Sequence, residues 1–273
     1  MLKLFFATLL AATLSACGGG GTHVTPMVFK HEVSSLQYGK TASIALQGRY
    51  LSNDMTVEAG SCSKPSFNAS STPERAVLNC KVTATGAMTL VIKDSTGQAV
   101  YSATFTVPKP QVTLLTSKGN VVLELEPDVA AVTVNNFLGY VNSGYYQGTL
   151  VHRVISGFVV QGGGYTTGMI KKPGQLAPIG LESNKGLLNT VGTVAMARTS
   201  LPDSATSEFF INLVDNPALD YKNEDEPGYA VFGTVLQGMD IVKTIAIVQT
   251  AAIAGFANVP TEDVTITFAL QTR

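Results

Sequence analysis

Between Met27 and Val107 the apolar residues fall at every second position in short runs, broken by Ser-Asn-Asp, Thr-Gly and Ser-Thr-Gly. The runs "TASIALQGRYL" (41–51), "RAVLNCKVTAT" (75–85), "MTLVIKD" (88–94) and "AVYSATFTV" (99–107) each keep a period of two, which predicts strands with one buried face. Short strands with frequent turns predict a small antiparallel β-sandwich over 27–108. The prolines of "VPKPQ" (107–111) cannot join a hydrogen-bonded ladder and mark its end.

A second unit, 109–273, opens on "QVTLLTSKGNVVLELEPD", two alternating strands around Lys-Gly-Asn, which predicts a hairpin. The period then changes. In "PDVAAVTVNNFLGYVNSGYY", Ala130, Val134, Phe137, Leu138 and Val141 recur at three- and four-residue steps, with Pro127 suited to the start of a helix and Gly144 to its end. A shorter helix is predicted in "GMDIVKTIAIV", where Met239, Val242 and Ile245 or Ala246 share a face. The chain closes on "VTITFALQ", alternating from 264 to 271. Mostly strands with two separated helices is not a βαβ repeat, and the fold class is mainly β.

Composition narrows the class further. The 273 residues are 45% hydrophobic and 14% charged, which is globular rather than disordered. A formal net charge of −1 without a basic cluster gives phosphate backbones no long-range attraction, so no nucleic-acid partner is expected. The first residues, "MLKLFFATLLAATLSAC", place one cation at Lys3 ahead of an apolar run from Leu4 to Leu14 that is too short for a membrane-spanning helix. Residues 1–16 read as an export signal. "LSAC" resembles a bacterial lipobox, which implies lipidation of Cys17 and a membrane anchor; an ordinary cleaved signal with an incidental cysteine is the alternative. The glycines at 18–21 suit a flexible tether over 17–26. Gly18 after the cysteine resembles the sorting signal for the outer membrane, which implies an envelope protein facing the periplasm. In that oxidising space Cys62 and Cys80 read as one disulfide, with two free thiols as the alternative. The three histidines, His23, His31 and His152, sit at no ligand spacing from the cysteines, so no metal is expected.

The stretch "VHRVISGFVVQGGG" (151–164) poses the chemical question, because it sets a permanent cation, Arg153, in an almost wholly apolar run. Its three glycines are not followed by the Lys-Ser or Lys-Thr of a phosphate loop, and no Gly-x-Ser-x-Gly elbow occurs. Four segments occur in a telling order: "GTLVHRVISGFVVQGGG" (148–164), "GTVAMARTSLPDSATSEFFINLVDN" (192–216), "ALDY" (218–221) and "GYAVFGTVLQGMDIVKTI" (228–245). Together they resemble the bacterial branch of the cyclophilin-type peptidyl-prolyl cis-trans isomerases, over residues 109–273. The first unit resembles bacterial immunoglobulin-like modules, loosely and without a specific motif.

The cyclophilin resemblance implies an eight-stranded antiparallel barrel with two capping helices behind the β-sandwich. It implies that Arg153 is catalytic and that Gln161 holds it and meets the substrate backbone. Phe158, Val159, Phe210 and Leu219 would form the hollow for the proline ring, Ala197 and Arg198 would line the groove, Glu208 would sit beside it, and Tyr229 would stand at the rim. His152 is expected to support rather than act as a base. The reaction requires no cofactor and no metal. The expected partners are proline-containing unfolded or extended polypeptides, and the chain is expected to be a monomer. Val151, Ser156, Val159, Glu208 and Ala218 depart from the residues frequent in the family, with Glu208 expected to compete for the hydrogen bonds of Arg153. The alternatives are a catalytically weak or inactive peptide-binding or chaperone lipoprotein, and an envelope protein whose first unit does the work.

Overall fold

The alternating runs of the first unit are strands in the computed structural model, which describes residues 24–51 and 54–273. The proposed signal 1–16, Cys17 and the tether as far as residue 23 lie outside the described residues. In chain order the strands are β1 (Met27–Val33), β2 (Thr41–Arg49), β3 (Thr56–Ala59), β4 (Cys62–Phe67), β5 (Arg75–Val82), β6 (Gly86–Lys93) and β7 (Ala99–Val107). They form two antiparallel sheets, ordered β1-β2-β5-β4 and β3-β6-β7. Ile44, Leu46 and Leu78 of one sheet share a core with Met88, Leu90 and Ile92 of the other. Cys62 of β4 and Cys80 of β5 are joined by a disulfide, their Cα atoms 5.3 Å apart.

The barrel strands follow as β8 (Gln111–Thr116), β9 (Gly119–Leu125), β10 (Thr149–Ile155), β11 (Val159–Gly162), the small hairpin β12 (Tyr165–Thr166) and β13 (Ile170–Lys171), β14 (Thr193–Met196), β15 (Phe209–Asn212), β16 (Val231–Gln237), a second hairpin β17 (Thr250–Ile253) and β18 (Phe256–Pro260), and β19 (Thr265–Gln271). Eight of them close a barrel in the order β10-β11-β15-β14-β16-β9-β8-β19. Helices α1 (Ala131–Asn142) and α2 (Met239–Ala246) press Val134, Phe137, Val141, Val242 and Ile245 into the same core as Leu114, Leu123, Val160 and Phe209 of the strands. The mainly β class, the eight-stranded barrel and both helices therefore stand as expected.

Three local features differ from the sequence reading. The hairpin turn is Ser117-Lys118 rather than Lys-Gly-Asn, since Gly119 already pairs with Thr116. Pro127 does not start α1. The helix begins at Ala131 after Ala130, which offers no side-chain acceptor, and the carboxylate of Glu182 accepts instead from the amide of Thr133 at 2.8 Å and of Val132 at 3.3 Å. In β19 the alternation persists in the letters while the faces exchange. A bulge between Ile266 and Phe268 buries Ala269 and turns Phe268 and Leu270 to solvent.

Candidate active site

The apolar stretch 151–164 carries two faces with different tasks. On β10 and β11, Val151, Val154 and Val160 point into the barrel core, whereas Val159 belongs to a separate apolar cluster. The neighbouring strands divide in the same way, with Phe209, Ile211, Val194 and Met196 inside and Phe210 and Ala195 outside. A sheet that is apolar on both faces needs cover on both, and the outer face is only partly covered. Buried Val159, Ala195, Phe210 and Val231 form its floor, and Phe158, Leu187, Ala197, Leu219 and Tyr229 pack around them half-buried.

Strand register then places the charge. Arg153 of β10 pairs directly with Gln161 of β11, which pairs with Phe210 of β15, which pairs with Ala195 of β14, which pairs with Val231 of β16. This transverse row crosses five strands and runs from a guanidinium through an amide into an apolar floor. The turn 155–158 closes on a bond from the Phe158 amide to the Ile155 carbonyl, with Gly157 at φ +71°. It makes the eight-residue spacing of Arg153 and Gln161 a cross-strand neighbourhood, in which the Nη1 of Arg153 donates to Oε1 of Gln161 at 3.1 Å. Arg153 is half-buried, so its cation faces a partly desolvated surface.

Beside this row Gln161 Nε2 donates to Oε2 of Glu208 at 3.0 Å, and Nε2 of His152 lies 3.2 Å from the same oxygen. Glu208 thus engages Gln161 and His152, and the expected direct competition for Arg153 is absent from its contacts because the Gln161 amide stands between them. Burial pushes the Glu208 carboxyl up, but the hydrogen bond and charge of His152, then Gln161 and Lys171, outweigh it and hold the group below its ordinary value. His152 is buried, with Tyr165 edge-on at 4.8 Å and Phe256 5.0 Å beyond. Arg153, Gln161, Glu208 and these rings line a pocket of about 250 Å³.

The wall at the other end joins expected residues to a support that the sequence did not single out. Tyr229 stands edge-on to Phe210 at 5.6 Å. Arg198, expected to line the groove through its main chain, also uses its side chain. Its guanidinium lies 4.7 Å from the Tyr229 ring centre, and its Nε donates to the Gly228 carbonyl at 2.9 Å. Beneath the wall, buried Asn189, Asn212 and Asn216 tie three loops together. Asn216 Nδ2 donates to the carbonyl of Phe158 at 3.2 Å and to Oδ1 of Asn212 at 2.7 Å, and Asn189 Nδ2 donates to the carbonyl of Leu219 at 3.0 Å. Two of the three lie inside "FFINLVDN", where short amides in an apolar strand end were the available signal. Ala218 is exposed, and Val159 is buried in the floor.

Residues 111–269 match the family described as cyclophilin type peptidyl-prolyl cis-trans isomerase/CLD. The chain belongs to the cyclophilin family. Its cyclophilin part is 50% identical over 155 residues to peptidyl-prolyl cis-trans isomerase A of Dickeya dadantii, covering 57% of this chain and 80% of the relative. It is 48% identical over 157 residues to peptidyl-prolyl cis-trans isomerase B of Escherichia coli, covering 57% of this chain and 95% of the relative. A solved cyclophilin of Cryptosporidium parvum, crystallised in the presence of the dipeptide Ala-Pro, aligns with a TM-score of 0.52 at 25% identity, over 60% of this chain and 99% of that one. The sheets β1 to β7 precede the region matched to the cyclophilin family.

Proposed function

We propose that Arg153 accelerates rotation about Xaa-Pro bonds by donating a hydrogen bond to the prolyl nitrogen as that bond twists. The amide resists rotation by about 18–20 kcal/mol because the nitrogen lone pair is delocalised into the carbonyl, while the two Xaa-Pro isomers lie within about 1 kcal/mol of each other. A twisted nitrogen is pyramidal and basic; a planar one is a poor acceptor. A guanidinium aimed at it therefore binds the transition state and scarcely touches the ground state. One hydrogen bond to a charged group contributes about 1.5–3 kcal/mol, so the apolar floor must add desolvation and restraint of the flanking residues. Phe158, Val159, Phe210 and Leu219 would take the proline ring, Tyr229 its rim, Ala197 and Arg198 the groove beside it, and Gln161 the substrate backbone.

The observation that carries this reading is the row from Arg153 through Gln161 to Phe210, which puts a half-buried cation on the same sheet face as the apolar cluster, two strands away. The test is magnetisation-exchange NMR on a proline peptide. Arg153→Ala should lower the catalysed rate by about 10²–10³-fold, the usual effect of removing a transition-state donor. An unchanged rate overturns the mechanism, and peptide affinity without any rate enhancement would mark a binding module instead.

The substrates we infer are exported polypeptides met at the envelope. The support is the leader 1–16, the lipobox cysteine Cys17 and the glycines behind it, together with a disulfide that suits an oxidising compartment. Mass spectrometry of the mature protein should find Cys17 as an acylated N-terminus. A mature chain that begins elsewhere, or carries no acyl mass, removes the tether from the proposal.

A further inference from the structure

Arg153, Gln161, Glu208 and His152 form one hydrogen-bonded chain whose direction is fixed at its ends. An arginine side chain can only donate and an ionised carboxylate can only accept. Gln161 stands between them with one oxygen and one amino group, 3.1 Å and 3.0 Å from its two neighbours. One orientation of its amide satisfies both. On the far side of Glu208, Nε2 of His152 faces an acceptor-only carboxylate oxygen at 3.2 Å and so carries a proton, while Nδ1 has no hydrogen-bond partner among the described residues. The backbone leaves room for the carboxylate. A Cβ at Gly164 would meet Cγ of Glu208 at 2.6 Å and its Oε1 at 2.7 Å, and Gly164 adds none.

We propose that Glu208 is a positioning residue for the isomerase reaction, its ionised carboxylate locking the Gln161 amide so that Oε1 is presented to Arg153 and the guanidinium is held toward the apolar hollow. This rests on the reading of Arg153 as the catalytic residue. Glu208 itself touches no substrate in this scheme. A protonated carboxyl can donate as well as accept, which releases the Gln161 amide to turn; a turned amide sets its own N–H groups against the donors of Arg153, and the cation loses its anchor. The groups facing Glu208 are His152 and Arg153 on β10, Tyr165 on β12 and Lys171 on β13. With the carboxyl held below the ordinary carboxylate range, the lock is closed at neutral pH and opens as pH falls through that lowered value.

The experiment is the pH profile of kcat and KM for the mature protein, followed by exchange NMR on a proline peptide, for wild type, Glu208→Gln, Glu208→Leu and Arg153→Ala. Wild type should keep a level kcat at neutral pH and lose it in acid. Glu208→Gln cannot ionise and, like the protonated carboxyl, can donate as well as accept, so its kcat should lie at the wild-type acid level at every pH, with no acid limb. Glu208→Leu should lose about tenfold in kcat at every pH with little change in KM, as expected for one orienting hydrogen bond. An acid limb that survives in Glu208→Gln belongs to another group, and a Glu208→Leu protein with wild-type kcat has no lock; either result overturns the proposal. If Arg153→Ala is inactive while the Glu208 variants behave as wild type, only the lock fails. If Arg153→Ala keeps its rate, the reading beneath it fails as well.

Discussion

Asn212 has no exposed surface, yet its side chain fills three hydrogen bonds. Its Nδ2 donates to Oδ1 of Asn189 at 3.2 Å and to Oγ1 of Thr193 at 2.9 Å, and its Oδ1 accepts from Asn216 at 2.7 Å. Through Asn216 and Asn189 it holds the carbonyls of Phe158 and Leu219, two proposed walls of the proline hollow. Truncation to alanine leaves buried polar atoms without partners, at about 1–3 kcal/mol for each group left bare. Asn212→Ala should therefore lower the melting temperature, by about 2–4 °C for each kcal/mol lost in a chain of this size. It should also raise KM more than it lowers kcat, because the pocket loosens while Arg153 and Gln161 keep their places. An unaltered melt with an unaltered KM would show that the loops are held by something else. The residues proposed to touch substrate were legible in the sequence because they sit in motifs of fixed order. Asn189 was not, because it meets Asn212 only when a loop remote in sequence closes over the end of β15.

At the scale of elements, legibility followed burial. The four strands with clean alternation, β2, β5, β6 and β7, were readable, and three of them, β2, β5 and β6, are interior to their sheets. The strands that were not, β1, β3 and β4, are all edges. An edge strand buries less, so selection on its alternation is weaker, and β4 can even hold Pro65, whose missing N–H an interior strand would need. The face of each helix was written in its spacing, but the start of α1 was not, since its cap comes from Glu182, some fifty residues away. Gly162, Gly163 and Gly164, which lead into Tyr165 rather than the lysine of a phosphate loop, have a packing explanation. A Cβ at Gly162 would strike the Leu150 carbonyl at 2.8 Å, and Gly163, at φ +90°, lies against the Ser207 carbonyl. Close passage of β11 past β10 and the 207–208 segment is what brings Glu208 within reach of Gln161, so the element that closes the barrel also assembles the site.

The whole molecule is coupled through a small anchor. Tyr38, between β1 and β2, is buried among barrel-core residues rather than in the core of its own sheets. Burial raises its phenol above the ordinary value, and its carbonyl accepts from Nε2 of Gln271 on β19 at 2.9 Å. Around it, Lys40 donates to Oδ1 of Asn142 at 2.6 Å, and the Thr85 amide and hydroxyl donate to Asp128. One aromatic anchor inside a polar rim is the pattern that concentrates binding energy in a single side chain. Removal of a buried aromatic ring costs about 3–5 kcal/mol, far more than the exposed polar contacts at the rim return. With the anchor in place the N-terminal sheets and the barrel should melt as one unit; in Tyr38→Ala they should separate into two transitions. Turnover should hold, because the row from Arg153 to Val231 lies on β10, β11, β15, β14 and β16, and the anchor rests on α1 and β19. Calorimetry beside the exchange assay decides it. A single transition at the wild-type temperature would mean that Tyr38 couples nothing, and a collapse of turnover would mean that the sheets reach the active site by a route other than this anchor.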